Sequence, residues 1–180
     1  MRFRNMERLK DRVAIVTGSA QGLGFAIARA LAREGAWVVI SDINETGIKN
    51  AVEKLKGVSE NVIGFITDVR KKEEVVRLVN STIDKWGRID ILVNNAGGAL
   101  HTPHKLEEIE EEHWDLVVDV NLKGTFFCCQ QVIPKMVERR KGSIVNISAL
   151  AAHWRASLAG VQYTAAKAGV EGLTRQLAYD

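Results

Sequence analysis

Among the 180 residues there are only two cysteines, two prolines and two tyrosines, and the formal net charge is +3. The cysteines, Cys128 and Cys129, are adjacent inside an apolar helical segment. That excludes a disulfide framework and suits a buried thiol pair in a reducing compartment. No apolar run reaches the roughly 18 residues that a membrane-spanning helix needs. The start, Met1 to Arg8, is charged with no apolar stretch behind it, so it does not read as a signal peptide. Lys and Arg alternate with Asp and Glu instead of forming the clustered basic face of a nucleic-acid binder. These absences imply a soluble cytoplasmic protein with neither nucleic acid nor membrane as partner.

What is present is a hydrophobic fraction of 46%, enough for a packed core without disulfides or a structural metal. The length suits one domain spanning residues 1–180. Five short runs, Val13–Thr17, Trp37–Ser41, Val62–Ile66, Ile91–Asn94 and Ser143–Ile147, are β-branched and almost wholly apolar. Such runs are expected of parallel strands covered on both faces. Amphipathic helical stretches alternate with them at about Gly24–Arg33, Thr46–Lys56, Lys72–Trp86 and Glu111–Arg139, and a last one runs from Tyr163 to Asp180. Asn44 and Asp68 are placed to cap the helices that follow them, and Pro134 should kink or end the fourth. The alternation predicts an α/β fold: a parallel sheet with right-handed crossovers and helices on both faces.

The first strand runs into Thr17-Gly18-Ser19-Ala20-Gln21-Gly22-Leu23-Gly24 and then straight into a helix. Glycines permit a tight turn and close approach of backbone to ligand, while free N–H groups at a helix start face an anion. A pyrophosphate fits this strand–turn–helix context. The second strand ends at Asp42, followed by Ile43, eighteen positions after Gly24. A carboxylate there accepts hydrogen bonds from both ribose hydroxyls of an adenosine and repels a 2′-phosphate, favouring NAD over NADP. The alternative is that Asp42 only organises a loop.

The glycine pattern Thr-Gly-x-x-x-Gly-x-Gly at 17–24 resembles that of the short-chain dehydrogenase/reductase (SDR) family. Three further stretches agree in order: Asn94-Asn95-Ala96-Gly97, Asn121 within Asp119–Gly124, and Tyr163-x-x-x-Lys167. The resemblance covers essentially the whole chain. It implies a Rossmann-type doubly wound sheet and an oxidoreductase that interconverts a secondary alcohol and a ketone. On a helix Tyr163 and Lys167 share one face, and a nearby ammonium favours the phenolate, making the tyrosine a general acid/base. The resemblance further implies that Lys167 holds the nicotinamide ribose and that Asn121 supports a water-linked proton relay. It places Gly18, Ser19, Gln21, Gly22, Leu23, Gly24, Asp42 and Ile43 beside the cofactor, with Asp68 and Val69 at the adenine. Asn95, Ala96 and Gly97 join them, and homo-oligomers, dimers or tetramers, are expected through the fourth and fifth helices.

Two departures stand out. At the position of the family's catalytic serine the sequence has Ala149, fourteen residues before Tyr163, and Ser148 lies fifteen before it. Ser148 either takes over as hydrogen-bond donor to the substrate oxygen or merely satisfies groups at the strand end. Second, members of the family run to about 250 residues, still within one domain. A sixth strand, a substrate-covering lid and a seventh strand are therefore expected beyond Asp180. The chain is accordingly expected to be either a fragment of a longer enzyme or a truncated product that binds a dinucleotide without catalysis. Among remaining residues, His101 and His104 lack the spacing of a metal pair. His113 reads as a surface residue, and His153, Trp154 and Arg155 fall in the loop that borders the substrate pocket. Glu107, Glu108, Glu110, Glu111 and Glu112 read as a solvated helix start.

Overall fold

A computed structural model describes residues 7–180; Met1 to Met6, most of the charged start considered above, lie outside it. Five strands, β1 (Val13–Thr17), β2 (Trp37–Asp42), β3 (Val62–Ile66), β4 (Ile91–Asn94) and β5 (Ser143–Asn146), form one sheet in the order β3-β2-β1-β4-β5. All four pairings are parallel, with Thr17 opposite Ser41, Val16 opposite Val93 and Asn94 opposite Asn146. The chain winds outward from β1 to β3, then returns to place β4 on the other side of β1. That reversal opens a crevice at the carboxyl ends of β1 and β4, where doubly wound sheets bind ligands.

The helices are α1 (Gly22–Arg33), α2 (Glu45–Lys56), α3 (Lys72–Trp86), α4 (Glu111–Val118), α5 (Gly124–Glu138) and α6 (Val161–Tyr179). Strand β1 is buried throughout because its side chains alternate between two cores. Ala14 and Val16 pack with Ala28 of α1 and Ala51 and Leu55 of α2, whereas Ile15 packs with Val75, Leu78 and Val79 of α3 and Cys128, Cys129 and Val132 of α5. The cysteines are therefore core residues, and burial pushes their thiols up to about 12 and about 11.

Four local expectations change. Asn44 does cap α2, accepting from Gly47 N at 2.9 Å, but Asp68 does not cap α3: its carboxylate faces Arg70 instead. The helix does not end at Pro134; α5 runs on to Glu138. Pro134 and Gln130, whose carbonyl loses its partner, are both exposed, so the carbonyl is open to solvation. The pattern over 111–139 breaks earlier, at a single π-helical turn over Asp119–Lys123 that separates α4 from α5. His113 is more than a surface residue, since its Nδ1 accepts from Glu110 N at 3.1 Å in a capping box.

Strand β5 forms one edge of the sheet. Beside it, between α5 and α6, lies an apolar trough of about 790 Å³ lined by Ile133, Met136, Val137, Ile144 and Leu177 among others. No described helix is long and apolar enough to cross a membrane.

Candidate active site

Two neighbouring cavities, of about 380 and 390 Å³, lie at the carboxyl ends of the strands and share Gly18, Gln21, Asn95 and Gly97. The first is also lined by Asp42, Ile43, Asp68, Val69, Arg70, Ala96 and Leu100. The second reaches Leu23, Gly24, Ile147, Ser148, Tyr163 and Lys167. Their shared walls make one cleft that leads from the end of β2 to the helix bearing the tyrosine and lysine.

The glycine turn is locked to β4 by polar groups. Gly18 has φ of +61°, and a Cβ there would stand 2.7 Å from the Ala96 Cα, so no side chain fits. Asn95 Nδ2 donates to Thr17 O at 3.0 Å and to Gly18 O at 2.9 Å, while Thr17 Oγ1 accepts from the N–H groups of Asn95 and Ala96. Helix α1 then begins at Gly22 with Gln21 before it and no side-chain cap. Its first N–H groups are left for an anion. Ser19 does not join the cleft: it is fully buried, donating to Val16 O at 2.6 Å and accepting from Ser41 N at 3.1 Å. Asp42 closes this end, its Oδ2 accepting from Ala20 N at 3.0 Å and its Oδ1 from Asn44 N at 3.1 Å. One bond per oxygen leaves the carboxylate further lone pairs. Thr67, on the same wall, has a buried hydroxyl without a hydrogen-bond partner.

At the other end, Gly97 lies against both Asn121 and Lys167. With φ of +154°, it has no room for a Cβ, which would collide with Asn121 Oδ1 and stand 3.3 Å from Lys167 Nζ. The Asn121 amide is fully buried, and both of its Nδ2 protons are used. Nδ2 donates to Gly98 O at 2.9 Å and Val117 O at 2.8 Å, and Oδ1 accepts from Gly98 N at 3.0 Å. Lys167 Nζ donates to Ile147 O at 2.8 Å, and burial pushes its ammonium down to about 8. It sits 5.8 Å from the centre of the Tyr163 ring. The expected lowering of the Tyr163 hydroxyl by this ammonium does not appear; burial raises it above the usual phenol range.

Ser148 lines the cleft, but its hydroxyl donates to Glu171 Oε1 at 2.9 Å, and Glu171 Oε2 pairs with His153 Nε2 at 2.9 Å. A serine hydroxyl has one proton, so this arrangement leaves none for a substrate. Two further residues were missed in the sequence. Gln162, beside Tyr163 and fully buried, donates to Thr102 Oγ1 at 2.9 Å and Pro103 O at 3.1 Å, fastening the loop after Gly98 to α6. Arg70 forms part of the wall at the far end of the cleft. Neither belongs to a motif, and the partners of Gln162 lie some sixty residues away in the sequence.

Residues 12–180 match the family model for short chain dehydrogenases, and the chain belongs to that family. It is 43% identical over 96% of its length to a hydroxy(phenyl)methyl-succinyl-CoA dehydrogenase subunit, BbsD, of Thauera aromatica. It is 38% identical over 93% of its length to the 3-oxoacyl-(acyl-carrier-protein) reductase FabG of Thermotoga maritima. These matches span 68% and 67% of the two relatives, so the chain corresponds to about two thirds of each. Among solved structures, gox2181 superposes with a TM-score of 0.91 at 39% identity, covering 98% of this chain and 69% of that one. A short chain dehydrogenase from Mycobacterium smegmatis gives 0.88 at 35%, covering 95% of this chain and 71% of that one. The family consists of oxidoreductases that use nicotinamide cofactors.

Proposed function

We propose that the chain carries the cofactor and catalytic portion of an NAD(H)-dependent oxidoreductase that interconverts a secondary alcohol and a ketone. The observation that carries this reading is the continuous cleft from Asp42 past the glycine turn to Tyr163 and Lys167. The residues present fit a dinucleotide. The turn at Gly18 and the uncapped start of α1 at Gly22, Leu23 and Gly24 receive a pyrophosphate. The remaining lone pairs of Asp42 receive ribose hydroxyls and disfavour a 2′-phosphate. When bound, the nicotinamide supplies or takes up the hydride.

The rest is done by the chain. Tyr163, kept protonated by burial, is a proton donor to a carbonyl oxygen, which matches ketone reduction at neutral pH. Lys167, fixed by Ile147 O, keeps N–H groups that would hold the ribose of a bound dinucleotide. Asn121 holds Gly98, and with it the Gly97 wall, in place. With both amide N–H groups committed this way, its side chain serves the site by shaping it. Ser148 supports the loop after β5 through Glu171. The family's assembly into dimers or tetramers through α4, α5 and α6 is proposed for the complete protein, as is a cytoplasmic location. The name of the Thermotoga relative suggests an acyl-linked ketone as one substrate class to include in a screen.

A second reading has one observation in its favour: Ala149 and the committed hydroxyl of Ser148 leave no serine donor, as in a dinucleotide-binding protein without turnover. The two separate in a screen of ketones with NADH, with Tyr163→Phe as control. Turnover that falls by about 10²–10⁴-fold in the variant supports catalysis. Saturable NADH binding with no turnover on any substrate supports the second reading.

A further inference from the structure

The loop that leaves the cleft after Gly98 turns through two consecutive non-glycine residues in the left-handed region, Leu100 with φ of +56° and His101 with φ of +57°. A leucine seldom adopts this region, so surrounding contacts must hold it there. The segment is clamped on both sides. Before the turn, the Asn121 amide bonds both backbone groups of Gly98. After it, Thr102 closes back on Ala99 O, through its N–H at 3.1 Å and its Oγ1 at 2.7 Å. Gln162 Nε2 then donates to Thr102 Oγ1 at 2.9 Å and to Pro103 O at 3.1 Å.

The second clamp has one possible orientation. The Thr102 hydroxyl spends its single proton on Ala99 O, and Pro103 O can only accept, so both neighbours require the donor end of the amide. Gln162 Oε1 is thereby left buried with no hydrogen-bond partner among the described residues, a cost that an apolar side chain would avoid. What the polar residue gains is a hold on the turn. The turn, in its place, puts Leu100 on the cleft wall with Ala96, Gly97, Leu116 and Val120. We propose that Gln162 is a positioning residue for cofactor binding: through Thr102 it keeps the strained turn closed and Leu100 against the bound dinucleotide. Lying one residue before Tyr163, it ties this wall to the helix that bears the proton donor. The proposal rests on the dinucleotide reading above.

The test titrates NADH into the 180-residue chain, Gln162→Met, Leu100→Gly and the double variant Gln162→Met/Leu100→Gly. Melting temperatures establish that each is folded. Thr102→Val, which deletes the hydroxyl that Gln162 holds, repeats the cycle should Gln162→Met not fold. Without the clamp the closed turn is a smaller fraction of the folded chain, and the apparent dissociation constant rises by the inverse of that fraction. The expected result is that NADH binds about tenfold more weakly to Gln162→Met and to Thr102→Val. Adding Gln162→Met to Leu100→Gly changes affinity by less than about twofold, because the side chain it positions is already gone. Amide exchange at the Thr102 N–H accelerates about tenfold or more in Gln162→Met, while Val16 and Val93 in the central strands keep their protection. An equal loss of NADH affinity with and without Leu100 overturns the proposal, since it makes Gln162 a merely structural residue. Unchanged affinity in both clamp variants, or unchanged exchange at Thr102, overturns it as well. All three leave the dinucleotide reading standing. No binding of NADH by the unmodified chain overturns both.

Discussion

Tyr163 and Lys167 are legible as a pair from their spacing, but their electrostatics are not. Spacing puts both on one face of α6, while only the packed structure aims Lys167 Nζ at Ile147 O, burying the lysine and half-burying the tyrosine. The lysine is held at about 8 instead of its ordinary 10.5. Below pH 8 the native state pays for a buried ammonium; that penalty is relieved as pH rises from 8 toward 10.5, because the unfolded chain then binds more protons. Tyr163, raised by burial, acts in the opposite sense above its ordinary value of 10. Melting temperature should therefore show a stabilising contribution growing between pH 8 and 10 that is missing from Lys167→Met. A second prediction concerns the serine. Because the Ser148 proton is given to Glu171, Ser148→Ala should lower kcat less than about tenfold, below the 10²–10³ typical of a lost oxyanion donor. Ala149→Ser, which introduces a hydroxyl at the family's serine position, should raise it. Steady-state rates on one ketone substrate check both.

Among the elements, the strands and the first three helices follow closely from hydrophobic pattern, since each strand is sandwiched between two apolar layers. The break between α4 and α5 does not. Its π-helical turn at Asp119–Lys123 carries Asn121, whose amide makes tertiary bonds to Gly98 and a local one to Val117. No periodicity in 111–139 encodes a partner in a loop more than twenty residues earlier. That α5 does not end at Pro134 has a related reason: whether a lost backbone bond ends a helix depends on what faces the orphaned carbonyl. Asn121→Ala removes the buried side-chain bonds to Gly98 and Val117, and each ordinarily contributes about 0.5–1.5 kcal/mol. The variant should melt several degrees lower and bind NADH more weakly, because the wall at Gly97 loses its support. Calorimetry and a parallel NADH titration read both effects.

For the whole molecule, the site is assembled where the chain reverses across the sheet, and this is why four short sequence stretches far apart in number line one cleft. Their order in the sequence was enough to suggest the fold. Ser19 was read into the cleft and is buried in the turn, while Gln162, Glu171 and Arg70 carried no motif and emerged only with their partners. The trough beside β5 marks where this portion, about two thirds of its relatives' length, presents apolar surface. The central claim is that the cleft is an NAD(H) site selected by Asp42. The most direct measurement is a titration of the 180-residue chain with NADH and separately with NADPH, following nicotinamide fluorescence. The account predicts saturable binding with NADH favoured by about tenfold or more, and a smaller preference in Asp42→Ala. Equal affinity, a preference for NADPH, or no saturable binding of either would contradict it.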